Sequence, residues 1–591
     1  MKVSDIISDF LINRNITTVF GIIGSANSHL YDSFSKAGIN ILNVHNEQCA
    51  VIAAGAYFRT CGKLAAALIT AGGGVTNSVT GIVSLWADSI PAIIISGQES
   101  SNYITMHSHR RMYGTQGLDI VHMVSKVTKY AKVILNANEI QDELEKSYAI
   151  TLDGRKGPVL LDVPFDIQSK SIGTHLWESF RPTKKIPTDE EINQVLKLLE
   201  GSKNPIILGG HGIKLADAQH EFNNLINSLK IPVLLTWSAI DVIGHDNFLY
   251  FGSPGVYGQR AANFIFQKCD LLIVLGSRLT LPQTGYDFKE VARGAKIVMV
   301  DIDPTEFKEF SHLQIHADCG EFIKRINVKC HRPEWVDECV NIRTCFPLIT
   351  HECHPEVDTD FPNSYRLIDK ISDFLTPNHI VVTDMGTALL SGHQVIRLKE
   401  GAKMFSSYGL GEMGYGLPAA FGAAIAGNGR EVLCLNCDGG MMMNIQELQT
   451  IIQHKLRVKI IIFNNDGYLM IKHTQKMLFG GKHTAVNNES GIVLPNYMKV
   501  AKAFGYQKYQ IKNWKDFNFY FPQFMEFDGP SICEIFMPVD QDFSPKVKGV
   551  VQNDGSIFAP PIEEMSPLLS FDTVQKVMGT AVSKKSSEIV R

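Results

Sequence analysis

Residues 437–466, CDGGMMMNIQELQTIIQHKLRVKIIIFNND, constrain the fold more tightly than any other stretch of this 591-residue chain. The apolar run EVLCLNC (431–437) reads as a short buried strand, and VKIIIFN (458–464), rich in β-branched residues, as a second. Between them Ile445, Leu448, Ile451 and Ile452 recur at helical spacing, and Asn444 with Glu447 three residues on reads as a capping box. Strand, helix and strand in about 30 residues make a βαβ unit, so the two strands should run parallel. Asp438 and Asn465 then stand just past carboxyl ends of strands, the edge at which open α/β sheets bind ligands. Gly439 and Gly440 leave room for close approach at a helix N-terminus, which suits an anion such as a phosphate. A carboxylate and an amide oxygen beside a phosphate suit Mg²⁺, a hard ion that prefers oxygen. The spacing is equally that of an Asp capping a helix and an Asn in a turn, since many βαβ units end this way.

The rest of the chain repeats the α/β pattern. TTVFGII, INILNVH, AAALITA, AIIISGQ and GPVLLDVP are short apolar strands in residues 1–170, alternating with helical stretches. The polar segment 168–191 reads as a linker, and PIILGGHGI, IPVLLTW, DLLIVLGSR and KIVMVDIDP form a second run. Three α/β domains with mainly parallel sheets are expected, at 1–170, 187–330 and 364–545, followed by a C-terminal tail at 546–591 that is loop-like at first and disordered at 583–591. Residues 330–363 cluster Cys and His (Cys330, His331, Cys339, Cys345, His351, Cys353, His354) without finger spacing on both sides, and read as an irregular connection. CLNC (434–437) reads as a pair of buried strand cysteines rather than a zinc or redox site.

Composition narrows the class. A net charge of −4 gives no electrostatic case for nucleic acid or an anionic membrane. No apolar run approaches the about 18 residues that a membrane span needs. Eleven scattered cysteines read as reduced thiols, and with no signal-type apolar core in MKVSDIISDF a cytoplasmic setting is expected.

The Asp-Gly pair followed by Asn464-Asn465 resembles the diphosphate signature of thiamin-diphosphate enzymes. VFGIIGSANSHLYDSF (19–34), VHNEQCAVIAAGAYFRTCGK (44–63), TAGGGVTNSVTGIV (70–83), ADSIPAIIISGQ (87–98), YGTQGLDIV (113–121), GRKGPVLLDVPFDI (154–167), YGLGEMGYGLPAAFGAA (408–424) and PIEEMSPLL (561–569) resemble, in order, the acetohydroxyacid (acetolactate) synthase branch. The resemblance spans nearly the whole chain. It implies a pyrimidine-binding domain, a central FAD-type domain and a diphosphate-binding domain. One departure is Cys437, where the family usually has Gly before the metal-binding Asp.

The resemblance also assigns roles. Asp438, Asn465 and the backbone carbonyl of Gly467 would hold Mg²⁺ on the cofactor diphosphate, with Gly411, Gly439 and Gly440 beside it. Met413 matches the residue that props the cofactor in a bent shape; on its own it reads as core filler. Glu47 would protonate the aminopyrimidine ring; on its own it reads more readily as an acid at a helix N-terminus, where acids are common. Asn77 and Gln116 resemble further residues of that pocket. Glu47 and Asp438 lie far apart in sequence, and in the family the two halves meet across a dimer interface, which implies a homodimer or homotetramer. In the central domain Gly209, Gly210, Thr236, Trp237, Gly276, Arg278, Asp301, Ile302 and Asp318 match the FAD-binding positions, although a fold can persist without its flavin.

The family chemistry begins with pyruvate as donor, and the acceptor decides the product. The family stretch GxRFDDRxTG corresponds here to GSRLTLPQTG (276–285), so Pro282 replaces the Arg that grips an acceptor carboxylate. The family VRQWQ corresponds to IKHTQ (471–475), so Thr474 replaces a Trp, with His473 beside it. Both changes point to a bulkier, uncharged ketone. In this respect the sequence is most similar to YerE-type flavin-containing carboligases, which transfer an acetyl unit to a nucleotide-linked keto sugar. Acetolactate synthesis, a flavin-dependent pyruvate oxidase and a non-catalytic subunit are the other readings.

Overall fold

The computed structural model describes residues 1–106, 109–355, 361–551, 557–589 and 591. Three parallel sheets organise the chain. The first comprises β1 (Thr18–Gly21), β2 (Asn40–Asn43), β3 (Ala66–Ile69), β4 (Ala92–Gln98), β5 (Tyr130–Val133) and β6 (Pro158–Pro164), ordered β2-β1-β3-β4-β6-β5. The second comprises β7 (Pro205–Gly209), β8 (Val233–Leu235), β9 (Leu271–Leu275), β10 (Lys296–Asp301) and β11 (Leu313–His316), ordered β11-β10-β9-β7-β8. The third comprises β12 (His379–Thr383), β13 (Lys403–Phe405), β14 (Glu431–Cys437), β15 (Val458–Asn464), β16 (Gln507–Ile511) and β17 (Ser531–Phe536), ordered β13-β12-β14-β15-β17-β16. The central strands are buried on both faces, which explains why they are mostly apolar along their length.

The expected βαβ unit is present: β14 and β15 pair in parallel, Val432 opposite Val458 and Cys437 opposite Phe463. Its helical part differs from the expectation. A single turn, Asp438–Met441, follows β14 directly, and the helix proper is Glu447–Gln453. That helix starts at Gln446 with no side-chain cap, because Asn444 and Glu447 are engaged elsewhere in the fold.

The first and third sheets share one hydrophobic core. Its centre is the contact of helix Glu47–Cys61 with helix Gly416–Ala426, both rich in small residues. A Cβ on Gly422 would lie 2.2 Å from the carbonyl oxygen of Ala53, so the two backbones touch only because residue 422 is glycine. The helix that begins with Glu47 is thereby packed on the sheet that carries Asp438.

Two segments differ from their sequence reading. Residues 330–363 contain the helix Pro333–Cys345, whose Trp335, Val336, Cys339 and Ile342 are buried in the core of the second sheet with Cys330. The C-terminal segment is also docked there. Met565, Val574 and Met578 join the same core, Arg260 donates to the carbonyl of Pro567 at 2.8 Å, and Arg591 pairs with Glu564 at 2.7 Å. Apolar residues at helical spacing in Phe571–Met578 drive that docking. All eleven cysteines are free, and no group of three or more His, Cys, Asp or Glu side chains among the described residues is placed to hold a metal. Among these residues no helix is long and apolar enough to cross a membrane.

Candidate active site

The loops after β14 and β15 converge. Asp438 follows β14 directly and is fully buried. Its Oδ2 accepts the backbone N–H groups of Asn465 (3.1 Å) and Gly467 (2.9 Å), and its Oδ1 accepts that of Gly439 (2.8 Å). Burial pushes its carboxyl up to about 7 despite these donors. Asn465 donates through Nδ2 to Thr387 Oγ1 at 2.8 Å, and its Oδ1 is buried with no hydrogen-bond partner among the described residues. Gly467 has φ +105°, and a Cβ there would lie 2.1 Å from the Val486 carbonyl oxygen, so only glycine can carry the loop at this point. Lys472 Nζ ties the same loop, donating to the carbonyls of Asn465 (3.0 Å) and Asp466 (2.7 Å). A buried carboxylate and an orphaned amide oxygen on one loop pair form an oxygen donor set that fits a hard divalent cation.

The glycines beside Asp438 are used differently from the sequence reading. The space a Cβ would occupy on Gly439 is filled by the Tyr468 ring at 2.3 Å, and that on Gly440 faces Asn436 Oδ1 at 2.9 Å and Asp384 Oδ1 at 3.0 Å. Asp384, at the end of β12, is a site residue that sequence reasoning did not single out. It is buried, its carboxyl is pushed up to about 6 by burial, and it accepts the N–H groups of Gly414 (3.1 Å) and Gly416 (2.8 Å). It thus shapes the loop that carries Gly411 and Met413; the only sequence signal is an acid at the end of the apolar run HIVVTD. Cys437 is buried and its Sγ accepts the N–H of Ala388 at 3.4 Å, so the departure from glycine is absorbed inside the sheet layer.

On the first sheet Asn46 caps helix Glu47–Cys61 by accepting the Gln48 N–H, and Glu47 is its buried first residue. Asn77 Nδ2 donates to Glu47 Oε2 at 3.0 Å, so two of the expected residues meet. Gln116 sits on a tight turn in which Tyr113 and Gly117 exchange backbone hydrogen bonds and Glu99 accepts the Gln116 N–H at 2.8 Å. That turn rests against Gly72, at the start of the helix Gly73–Asn77.

A cavity of about 300 Å³ lies at the carboxyl ends of β9 and β10, where residues from the parts of the chain built on the first sheet (Asp88, Arg155) and on the third (Leu389, Tyr408) also reach its wall. Thr236, Trp237, Gly276, Arg278, Asp301 and Ile302 line it, together with Pro282. Three expected residues are not on its wall. Gly209 lies within β7 against Leu235, Gly210 packs on the Gly276 backbone, and Asp318 caps helix Cys319–Arg325 by accepting the Glu321 N–H at 3.1 Å. Arg278 forms no hydrogen bond or ion pair among the described residues, and burial pushes the Asp301 carboxyl up to about 6. An unpaired guanidinium, a close glycine backbone and a carboxylate at strand ends fit a nucleotide cofactor with a diphosphate bridge. Thr474 is exposed on helix Leu469–Leu478, its hydroxyl donating to the Met470 carbonyl at 3.2 Å, and His473 Nε2 donates to the carbonyl of Gln541 at 2.8 Å.

Comparison with known proteins gives concordant findings. Three family profiles match in order: the N-terminal thiamine pyrophosphate (TPP) binding domain of thiamine pyrophosphate enzymes at residues 1–139, their central domain at 192–326, and their C-terminal TPP binding domain at 384–535. The acetolactate synthase large subunit of Cyanidium caldarium is 30% identical over 564 residues, covering 91% of this chain and 94% of that protein. Acetolactate synthase isozyme 1 large subunit of Escherichia coli is 30% identical over 553 residues (92% and 95%), and the isozyme 2 large subunit is 28% identical over 524 residues (88% and 93%).

Proposed function

Because the chain belongs to the acetohydroxyacid synthase-like family of thiamin-diphosphate enzymes, we propose that it decarboxylates pyruvate and transfers the acetyl unit to a ketone without a carboxylate, a nucleotide-linked keto sugar. The observation that carries the choice of acceptor is Pro282 on the wall of the central cavity, at the position where the resemblance places the carboxylate-gripping Arg. Thr474, in place of a Trp, leaves that side of helix Leu469–Leu478 open.

Thiamin diphosphate supplies the electron sink that lets a 2-keto acid lose CO₂ and its two-carbon unit attack a carbonyl. The chain's own residues supply the rest. Asp438, Asn465 and the Gly467 carbonyl would hold Mg²⁺ and with it the diphosphate; the orphaned Asn465 Oδ1 supports this. Glu47 would hold a proton at the aminopyrimidine ring, and the Asn77 amide fixes which way its carboxyl faces. Gly411 and Met413, on the loop shaped by Asp384, would set the cofactor's bend, and Gln116 would close the pyrimidine side. Arg278, Asp301, Ile302, Thr236, Trp237 and Gly276 would hold FAD. Leu410, Met442 and Met443, exposed beside these loops, support a homodimer or homotetramer in which a second chain covers them.

Acetolactate synthesis is the second reading, favoured by the unpaired guanidinium of Arg278 on the same wall as Pro282. Competition separates the two. With pyruvate as donor and a keto-sugar nucleotide or cyclic ketone as rival acceptor, the ketone adduct should exceed acetolactate at comparable concentrations. Dominant acetolactate would make the enzyme an ordinary acetolactate synthase, and pyruvate-dependent peroxide release would make it an oxidase.

A further inference from the structure

Asn444 and Glu447, the pair expected to cap a helix, instead reach across to the segment that carries Glu47. Glu447 is fully buried, and its Oε1 accepts the backbone N–H of His45 at 3.0 Å. Its Oε2 accepts the Thr450 hydroxyl at 2.7 Å, which leaves Thr450 Oγ1 to accept from His45 Nδ1 at 3.0 Å. The three residues close a ring. Asn444, also buried, accepts the Cys49 thiol through Oδ1 at 3.2 Å and donates through Nδ2 to the Gly414 carbonyl at 2.7 Å. His45 and Cys49 stand two residues either side of Glu47, and Gly414 directly follows Met413. The segment that begins with Asp438 therefore grips Glu47 from both sides and the Met413 loop as well.

Packing does not require this. No lysine or arginine among the described residues pairs with Glu447; its buried carboxyl group is held by the His45 backbone N–H and the Thr450 hydroxyl, with the Cys49 thiol beside it, a polar arrangement that apolar packing of two sheets does not call for. We propose that Glu447 and Asn444 are positioning residues that set the direction of the Glu47 carboxyl by holding the residues on either side of it. The inference rests on the reading of Glu47 as the group that holds a proton at the cofactor ring. Displacement of a reacting group by about 1 Å costs on the order of 100-fold in rate, and losing either hook frees the start of helix Glu47–Cys61 to shift by such an amount.

The test uses the full chain loaded with thiamin diphosphate and Mg²⁺. Exchange of the thiazolium C2 proton for deuterium is followed by NMR after acid quench, and cofactor affinity by quenching of tryptophan fluorescence. Glu447→Ala and Asn444→Ala should each slow exchange by roughly 10–100-fold and leave cofactor affinity within about threefold. Glu447→Gln should retain most of the exchange, because its amide oxygen still accepts the His45 N–H and its amide N–H can meet Thr450. Glu563→Ala removes a carboxylate buried against Arg293 beneath the second sheet, and should lower the melting temperature without changing exchange. Glu47→Gln serves as reference. If it fails to slow exchange, the reading of Glu47 is wrong. If it slows exchange while Glu447→Ala and Asn444→Ala match the wild type, or if Glu447→Gln is as slow as Glu447→Ala, the positioning role is overturned. Should Glu447→Ala not fold, the exchange rate of Asn444→Ala decides between the same two outcomes.

Discussion

The backbone N–H of Asn465 donates to Oδ2 of Asp438 at 3.1 Å, while the Asn465 side chain leaves its own Oδ1 buried and unpartnered among the described residues. One hydrogen bond thus ties two strand-end loops, one carrying a buried carboxylate and the other a buried amide oxygen. Asp438→Ala should weaken Mg²⁺ and thiamin diphosphate together, by about 1.5–3 kcal/mol, the range for losing a charged partner. Calorimetric titration of the cofactor at fixed Mg²⁺ checks this; unaltered affinity would remove Asp438 from the metal site.

Glu47→Gln separates binding from proton transfer. The amide can still contact both the cofactor ring and Asn77, whose Nδ2 lies 3.0 Å from Oε2. Cofactor affinity should hold, and C2 proton exchange should fall by about 10²–10⁴-fold, the usual worth of a positioned general acid or base. Exchange at the wild-type rate would show that the carboxyl is only the first residue of a well-capped helix.

What the sequence displayed follows its physics. Strands β14 and β15 coincide with their expected bounds, because strands buried on both faces are mostly apolar along their length. The edge strands β5 (YAKV) and β11 (LQIH) escaped notice because half-buried edges tolerate lysine and glutamine. The capping-box reading of Asn444 and Glu447 failed because local spacing carries no information about His45, about 400 residues away in the chain. Asp384 was invisible for the same reason: its partners Gly414 and Gly416 are brought to it only by the fold.

Acid should destabilise the protein through buried histidines. Burial pushes His393 and His354 each down to about 4 from an ordinary value of 6.5. Both are neutral in the fold, so below pH 6.5 the unfolded chain takes up protons that the folded chain refuses. Their contribution is complete above that pH and is lost as pH falls toward 4, at up to about 1.4 kcal/mol per pH unit for each group. His393→Gln should flatten the dependence of the melting temperature on pH between 6.5 and 4.5. An unchanged slope would show that His393 titrates normally.

Arg278 offers a test of the flavin that does not depend on turnover. Its guanidinium lines the central cavity with no hydrogen-bond or ion-pair partner among the described residues. If it meets the FAD diphosphate, Arg278→Ala should lose about 1.5–3 kcal/mol of flavin affinity, the worth of a charge-assisted contact. Visible absorbance retained after desalting measures this. Equal retention in both proteins would free Arg278 for another anion, including an acceptor carboxylate.

The choice of acceptor is tested directly by the double variant Pro282→Arg with Thr474→Trp. Pro282 lies on the exposed rim of the central cavity, and its carbonyl accepts the Val256 N–H at 2.8 Å, a bond that any residue there can keep. Thr474 is exposed and its hydroxyl serves only its own helix, so neither replacement breaks a buried contact. A new guanidinium at 282 supplies a partner for a carboxylate, and indole at 474 fills the space a bulky ketone needs. The ratio of acetolactate to ketone adduct, measured by chromatography with both acceptors present, should rise by up to about 10–150-fold, the equivalent of 1.5–3 kcal/mol for one charge-assisted contact. The single variants divide the effect: Pro282→Arg should favour the charged acceptor, and Thr474→Trp should exclude the large one. If the ratio does not move in either single variant, acceptor choice lies elsewhere in the site, and the loss of the Arg and Trp has no bearing on which ketone is used.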